Sequence, residues 1–269
     1  MLKRILLHAT LVIGAFVSVF PFLLVVLTAL KTQGQLGSTE PWLPGIPPTF
    51  ANLSKLLRSG FPGYVANTLL MTAALTAGQL VFTTFAAYAF ARLRFRGRDV
   101  LFWLYVATMM VPSAVTMIPL FLIMRDVGLV NTWWGLLAPY ILGTPYGIFL
   151  MRQYFRSLPA GLEEAARIDG AGPLTILVRI LLPLCRPAMG TLAIITVISS
   201  WNNFLWPLII TSSDDTKVLT VGLAGLKGGV GVDQNVMMAG GLIALAPMVT
   251  IFIVFQRYIV RSVALTGLK

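Results

Sequence analysis

Charge is scarce in this chain. Of its 269 residues only 11% are Asp, Glu, Lys or Arg, less than half the usual share of a soluble domain. There is one histidine, His8, and one cysteine, Cys185. A single thiol excludes an intramolecular disulfide. No GxxxxGK[ST] loop, HExxH or CxxC occurs. The chain therefore lacks the usual cradle for a nucleotide phosphate and the usual metal-ligand spacings, and neither a cofactor nor a metal is expected in it. The carboxylates are Glu40, Asp99, Asp126, Glu163, Glu164, Asp169, Asp214, Asp215 and Asp233, and none lies deep in an apolar run. Catalysis has few candidate groups here, so no enzyme is expected. An ion-coupled secondary transporter, which usually needs ionisable groups at mid-membrane, is weakened but stays as the alternative.

Apolar residues are abundant. They make up 57% of the chain, and the mean hydropathy is +0.86. Disorder, an ordinary cytosolic enzyme and a basic nucleic-acid-binding domain are excluded. The expectation is a single all-α polytopic membrane domain over 1–269. Six runs are long enough to cross a bilayer: about 5–30, 64–91, 100–124, 133–151, 187–211 and 236–256. Lys3 and Arg4 before the first make it resemble a signal sequence, but its apolar run is too long for a cleaved one. It reads as an uncleaved anchor. Pro21, Pro112, Pro119, Pro139, Pro145, Pro207 and Pro247 fall inside the runs, as membrane helices tolerate.

The net charge of +11 resolves into topology. With the N-terminus inside, one side holds Lys3, Arg4, Arg92, Arg94, Arg96, Arg98, Arg152, Arg156, Arg167, Arg179, Arg186, Arg257, Arg261 and Lys269. The other holds Lys31, Lys55, Arg58, Arg125, Lys217 and Lys227. That bias places both termini in the cytoplasm. Membrane lipid, not nucleic acid, is the surrounding partner.

The segment 157–183 carries the most information. Pro159 suits an early helical position, and Gly170 is placed to end the helix with φ > 0. Helical spacing puts Ala160, Glu163, Glu164 and Arg167 on one face. Leu158, Leu162, Ala165, Ala166 and Asp169 fall on the other. Glu163 and Arg167 form an i,i+4 pair. Asp169 is unfavourable at that helix's C-terminal end and is expected to face the next helix, opened by Gly172-Pro173. Pro183 should end the second helix near Leu182. Residue chemistry alone leaves two readings open: a surface helix lying on the membrane, or a docking element.

The string Glu164-Ala165-Ala166-Arg167-Ile168-Asp169-Gly170-Ala171, followed by Ile180-Leu181-Leu182-Pro183, closely resembles the EAA motif of ABC importer permeases. Ser200-Trp201-Asn202-Asn203-Phe204-Leu205-Trp206-Pro207-Leu208 resembles the span-five signature of the carbohydrate-uptake branch. Leu30-Lys31-Thr32 and Gln256-Arg257-Tyr258-Ile259-Val260-Arg261 are similar to further parts of that branch. The resemblance covers essentially the whole chain and is nearest to the smaller, six-span subunit of the maltose-type pair. It implies a cytoplasmic coupling helix between spans four and five that docks on an ATPase subunit. Glu163, Glu164, Ala165, Ala166, Asp169, Gly170, Ala171 and Pro183 would belong to it. It further implies a second homologous permease, two ATPase subunits that carry the ATP, and an extracytoplasmic solute-binding protein. The location implied is a bacterial or archaeal cytoplasmic (inner) membrane. Sugars, oligosaccharides and glycerophosphate-type solutes all fit that branch.

For the solute path, Asn202 and Asn203 stand out, flanked by Trp201 and Trp206. Two adjacent carboxamides on a helix point about 100° apart, so both cannot face lipid cheaply. Contact with a solute and helix–helix hydrogen bonding are both open. Asn67, Thr68 and Gln79 in the second run are weaker candidates. Gly228-Gly229-Val230-Gly231 and 31–63 read as outer loops suited to meet a binding protein.

Overall fold

The computed structural model describes residues 2–38, 40–226 and 234–266. Lys227, Gly228–Gly231 and Lys269 lie outside the described residues. Among the described residues all regular structure is helical. In chain order the helices are α1 (Leu2–Ala29), α2 (Gln33–Ser38), α3 (Ala51–Leu57), α4 (Phe61–Arg92), α5 (Arg98–Ala107), α6 (Ser113–Asp126), α7 (Trp133–Ile141) and α8 (Pro145–Ser157). There follow α9 (Gly161–Ile168), α10 (Pro173–Thr175), α11 (Leu182–Leu184), α12 (Arg186–Trp201), α13 (Leu205–Ile210), α14 (Leu219–Gly225) and α15 (Gln234–Thr266).

Four stretches are long and apolar enough to cross a membrane: Lys3–Ala29, Phe61–Arg92, Trp133–Ser157 and Gln234–Val254. Two more are bent pairs. The expected single span 100–124 is Arg98–Met110 and Ser113–Asp126, meeting at 105°. The cause is local: Val111 is extended (φ −85°, ψ 119°) because Pro112 follows it. The expected fifth span, 187–211, is also interrupted. Helix α12 stops at Trp201, and α13 begins only at Leu205. Pro207 explains the gap, since its ring would meet the carbonyl four residues back, at Asn203. The helix expected to end near Leu182 instead runs from Pro173 to Leu184 through a π-helical stretch, Ile176–Leu181. A bend of 79° separates it from α12.

Two compact units divide the chain. The first comprises 1–66 and 218–251. Its buried side chains include Ala29, Leu56, Phe61, Leu219, Val236 and Ala239. Lys31 is buried there too; its Nζ donates to Glu40 O (2.8 Å) and Pro41 O (3.4 Å). Its own carbonyl accepts from Asn52 (2.9 Å) and Asn235 (2.6 Å). Buried polar groups must find such partners.

The second unit comprises 67–217 and 252–269. Its core gathers Ala87, Tyr88, Phe102, Ile148, Met151, Phe155, Ala166, Ile176, Leu177, Leu181, Cys185, Ala188 and Leu192. Arg152, 3% exposed, is tied into it. Its Nε donates to Phe90 O (3.1 Å), its Nη2 meets Asp99 (3.1 Å), and its guanidinium lies 3.8 Å from the Phe102 ring centre. The loop 211–217 is also fixed. Asn131, in the left-handed region at φ 58°, accepts from Ser212 N, Ser213 N, Ser213 Oγ and Thr216 Oγ1 at 2.8–3.0 Å.

Candidate functional site

The loop singled out by the sequence folds as a closed hairpin within the second unit. Helix α9 ends in a left-handed glycine turn. Gly170 has φ +80°, its N–H donates to Arg167 O (3.0 Å), and Ala171 N–H donates to Ala166 O (2.9 Å). Those two bonds satisfy carbonyls that the helix end would leave open. The expected positive φ at Gly170 is observed. Asp169 is exposed and does not cap the next helix, whose N-cap is Gly172 without a side-chain bond.

The faces of α9 are not divided as the spacing suggested. Glu163 and Ala166 turn inward and are buried, whereas Glu164, Ala165 and Ile168 are exposed. An ion pair orients this eight-residue helix. Glu163 Oε1 lies 2.9 Å from Arg92 Nε at the end of α4, and Glu163 Oε2 lies 3.6 Å from Arg167. Arg92 also donates from Nη2 to Phe155 O and, at 2.7 Å, to Leu158 O, so it closes the last turn of α8 as well. Sequence reasoning had no handle on Arg92 beyond the charge count. Pro183 sits in the single turn α11, after the π stretch. The outward face left over carries Leu162, Ala165 and Ile168, the last 87% exposed. Burial pushes the nearby Cys185 thiol up to about 11.

The expected path residues Asn67, Trp201, Asn202 and Asn203 all lie in the second unit. Asn67 spends its amide on Asp215 O and Lys217 O, both at 2.8 Å. Asn202 donates to Ile198 O (2.8 Å) and caps its own helix end. Trp201 is buried within the chain. Asn203 is half-buried in the unwound stretch. Trp206, a flanking aromatic, is buried; its Nε1 donates to Gly135 O (3.0 Å), and its ring meets Tyr140 edge-on.

A cleft of about 450 Å³ lies along α12, on the residues that lead up to Trp201. It is lined by Gln79, Thr144, Tyr146, Leu192, Ile195, Thr196, Ser199 and Ser200. Gln79 is its hub. Its Nε2 donates to Tyr140 O (3.0 Å), and its Oε1 accepts from Thr196 Oγ1 (3.1 Å). The hub stands beside the interruption between α7 and α8, where Gly143 adopts φ +110°. Irregular backbone at membrane depth needs such internal partners. The residues Thr72, Thr76, Gln79 and Thr83 recur at i, i+4, i+7 and i+11, which is one narrow stripe of α4. That spacing was the signal available in the sequence.

A helical membrane protein with broken spans, a polar cleft beside the breaks and a closed hairpin with an outward apolar face belongs among transport subunits. Residues 79–265 match the family described as "Binding-protein-dependent transport system inner membrane component". The chain belongs to this family. It is a permease subunit of a binding-protein-dependent ABC importer, and it is a component of the inner membrane. That membership sets aside the ion-coupled alternative. The chain is 34% identical to the arabinooligosaccharides transport system permease protein AraQ of Halalkalibacterium halodurans, over 95% of this chain and 92% of that one. It is 31% identical to the sn-glycerol-3-phosphate transport system permease protein UgpE of Yersinia pestis, over 95% and 94%. A solved bacterial ABC transporter involved in the import of the acidic polysaccharide alginate superposes with a TM-score of 0.87 at 28% identity, covering 96% of both chains.

Proposed function

We propose that α9 is the element through which this permease is driven, and that it docks on a separate ATPase subunit. The observation that supports this is its two-sided construction. Glu163 fixes one face to Arg92 inside the chain, and Leu162, Ala165 and Ile168 stand unpartnered within it on the other. In this reading two ATPases carry the ATP, a second homologous permease completes the pathway, and the binding protein delivers solute from outside. Both termini and the 157–183 loop lie in the cytoplasm. The solute is a sugar or a related polar compound, as the names of the relatives suggest. Glu163 is assigned to anchoring, not to contact with the ATPase.

The test is stimulation of ATP hydrolysis by solute-loaded binding protein in reconstituted membranes. Ala165→Trp adds bulk to the outward face, Gly170→Val strains the left-handed turn, and Glu164→Lys reverses an exposed charge. Each variant should insert normally and lose at least about tenfold of the stimulation, equivalent to 1.4 kcal/mol of coupling. Normal stimulation in all three would reduce α9 to a surface helix.

A further inference from the structure

We propose that the turn between α4 and α5 holds the headgroup of an anionic glycerophospholipid, with an acyl chain of that lipid lying along the exposed face of α5. The inference stands apart from the docking role of α9. A recess of about 460 Å³ opens at this turn, lined by Arg94, Phe95, Gly97, Arg98, Asp99 and Val100. The chain reverses through Gly97, at φ +78°, and nothing stands within 4 Å of the place its Cβ would take. Phe95 packs on Phe90, with ring centres 6.0 Å apart, and Phe90 on the core residue Phe102, at 5.6 Å. The turn is therefore held against the core of its unit.

Charge at this turn is unbalanced. Asp99 is its one carboxylate, and two guanidiniums already meet it: Arg98 from Nε (3.2 Å) and Nη2 (3.1 Å), and Arg152 from Nη2 (3.1 Å). Arg94 and Arg96 are exposed and form no ion pair among the described residues. Their planar donor forks suit phosphate oxygens. A topological bias requires positive charge near this end of a span, but it requires neither a recess nor what adjoins it. Val100, Trp103, Leu104 and Ala107 recur at i, i+3, i+4 and i+7 of α5, and all four are exposed. Ten residues make α5 about 15 Å long, half of a hydrocarbon core of ~30 Å. The stripe thus has the depth of one leaflet. A cationic recess at the head of such a stripe fits one molecule that carries both a phosphate and an acyl chain. Free phosphate would leave the stripe uncovered. A zwitterionic lipid would bring its own ammonium to a place already in positive excess.

The experiment places the intact transporter in phosphatidylcholine bilayers to which phosphatidylglycerol or phosphatidylcholine with brominated acyl chains is added. Bromine quenches the fluorescence of a tryptophan it touches. The signal of Trp103 is the difference between native protein and Trp103→Phe. Brominated phosphatidylglycerol should occupy the site beside Trp103 at least about fivefold in preference to brominated phosphatidylcholine. Arg94→Gln with Arg96→Gln should bring that ratio close to one. Arg94→Lys with Arg96→Lys keeps the charge and should keep a preference for phosphatidylglycerol. Arg125→Gln, at an exposed arginine outside the recess, should leave the ratio unchanged. Equal quenching by the two lipids in native protein would overturn the proposal, and so would a preference that survives the paired glutamines. Loss of preference in the lysine pair as well would remove charge as its cause and overturn it too. If inorganic phosphate, at ionic strength matched with chloride, abolished the preference, the recess would be a site for free phosphate and the lipid assignment would fall.

Discussion

Glu163 and Arg92 form the pair on which the hairpin depends. Both side chains are largely buried, at 6% and 12% exposure, so removing Glu163 leaves the Arg92 guanidinium without a counter-ion, held only by the Phe155 and Leu158 carbonyls. Such losses cost about 3–5 kcal/mol. Glu163→Ala should therefore lower the unfolding temperature of the purified protein in detergent, while Glu164→Ala, on the exposed face, should leave it within error. Equal effects of the two would contradict the inward placement of Glu163. Cys185 permits a second residue-scale prediction. Its thiol is buried and pushed up to about 11, so at pH 7.5 it is overwhelmingly protonated, and the thiolate is the reactive form. Native protein should resist maleimide for hours and react promptly once denatured. Rapid labelling of native protein would show that the core around Cys185 opens.

At the scale of elements, the interruptions in the spans matter more than the spans. Gly143 has φ +110°, and an added Cβ would stand 2.6 Å from Thr83 Oγ1. Gly143→Ala should destabilise by about 1–2 kcal/mol from backbone strain alone, read as a shift in thermal unfolding. An unchanged midpoint would mean that the α7–α8 connection relaxes freely. These breaks were only partly legible in the sequence. Pro112 and Pro207 were visible, yet hydropathy averaged over a run passes across a three-residue gap. The Gly170 turn was legible because one residue type at one position dictates it. The faces of α9 were not, because a long-range ion pair to Arg92 overrode local periodicity. Likewise the sequence presents the adjacent amides of Asn202 and Asn203 as a pair on a helix. The helix ends there, and Asn202 serves as its cap. The polar stripe of α4 had the right spacing but was diluted among other threonines that close bonds to their own backbone.

For the whole molecule, the charge bias makes a topological prediction. Phe95→Cys and Asp169→Cys, in otherwise native protein, should be shielded from an impermeant thiol reagent added outside intact cells. Trp42→Cys should react. Asp169 is preferred to Gly170 as the probe because Gly170 needs its positive φ. Labelling of position 169 from outside would invert the assignment of both termini and of the hairpin.

The hairpin of α9 is finished before any partner arrives. Its cap, its ion pair and its buried alanine are all supplied by the chain itself. A partner that meets it has no loop to order, so association forgoes the entropic penalty paid by segments that fold on contact. In the proposed docking role the hairpin would act as a stiff lever rather than a tether, joined through the Glu163–Arg92 pair to the end of a 32-residue helix.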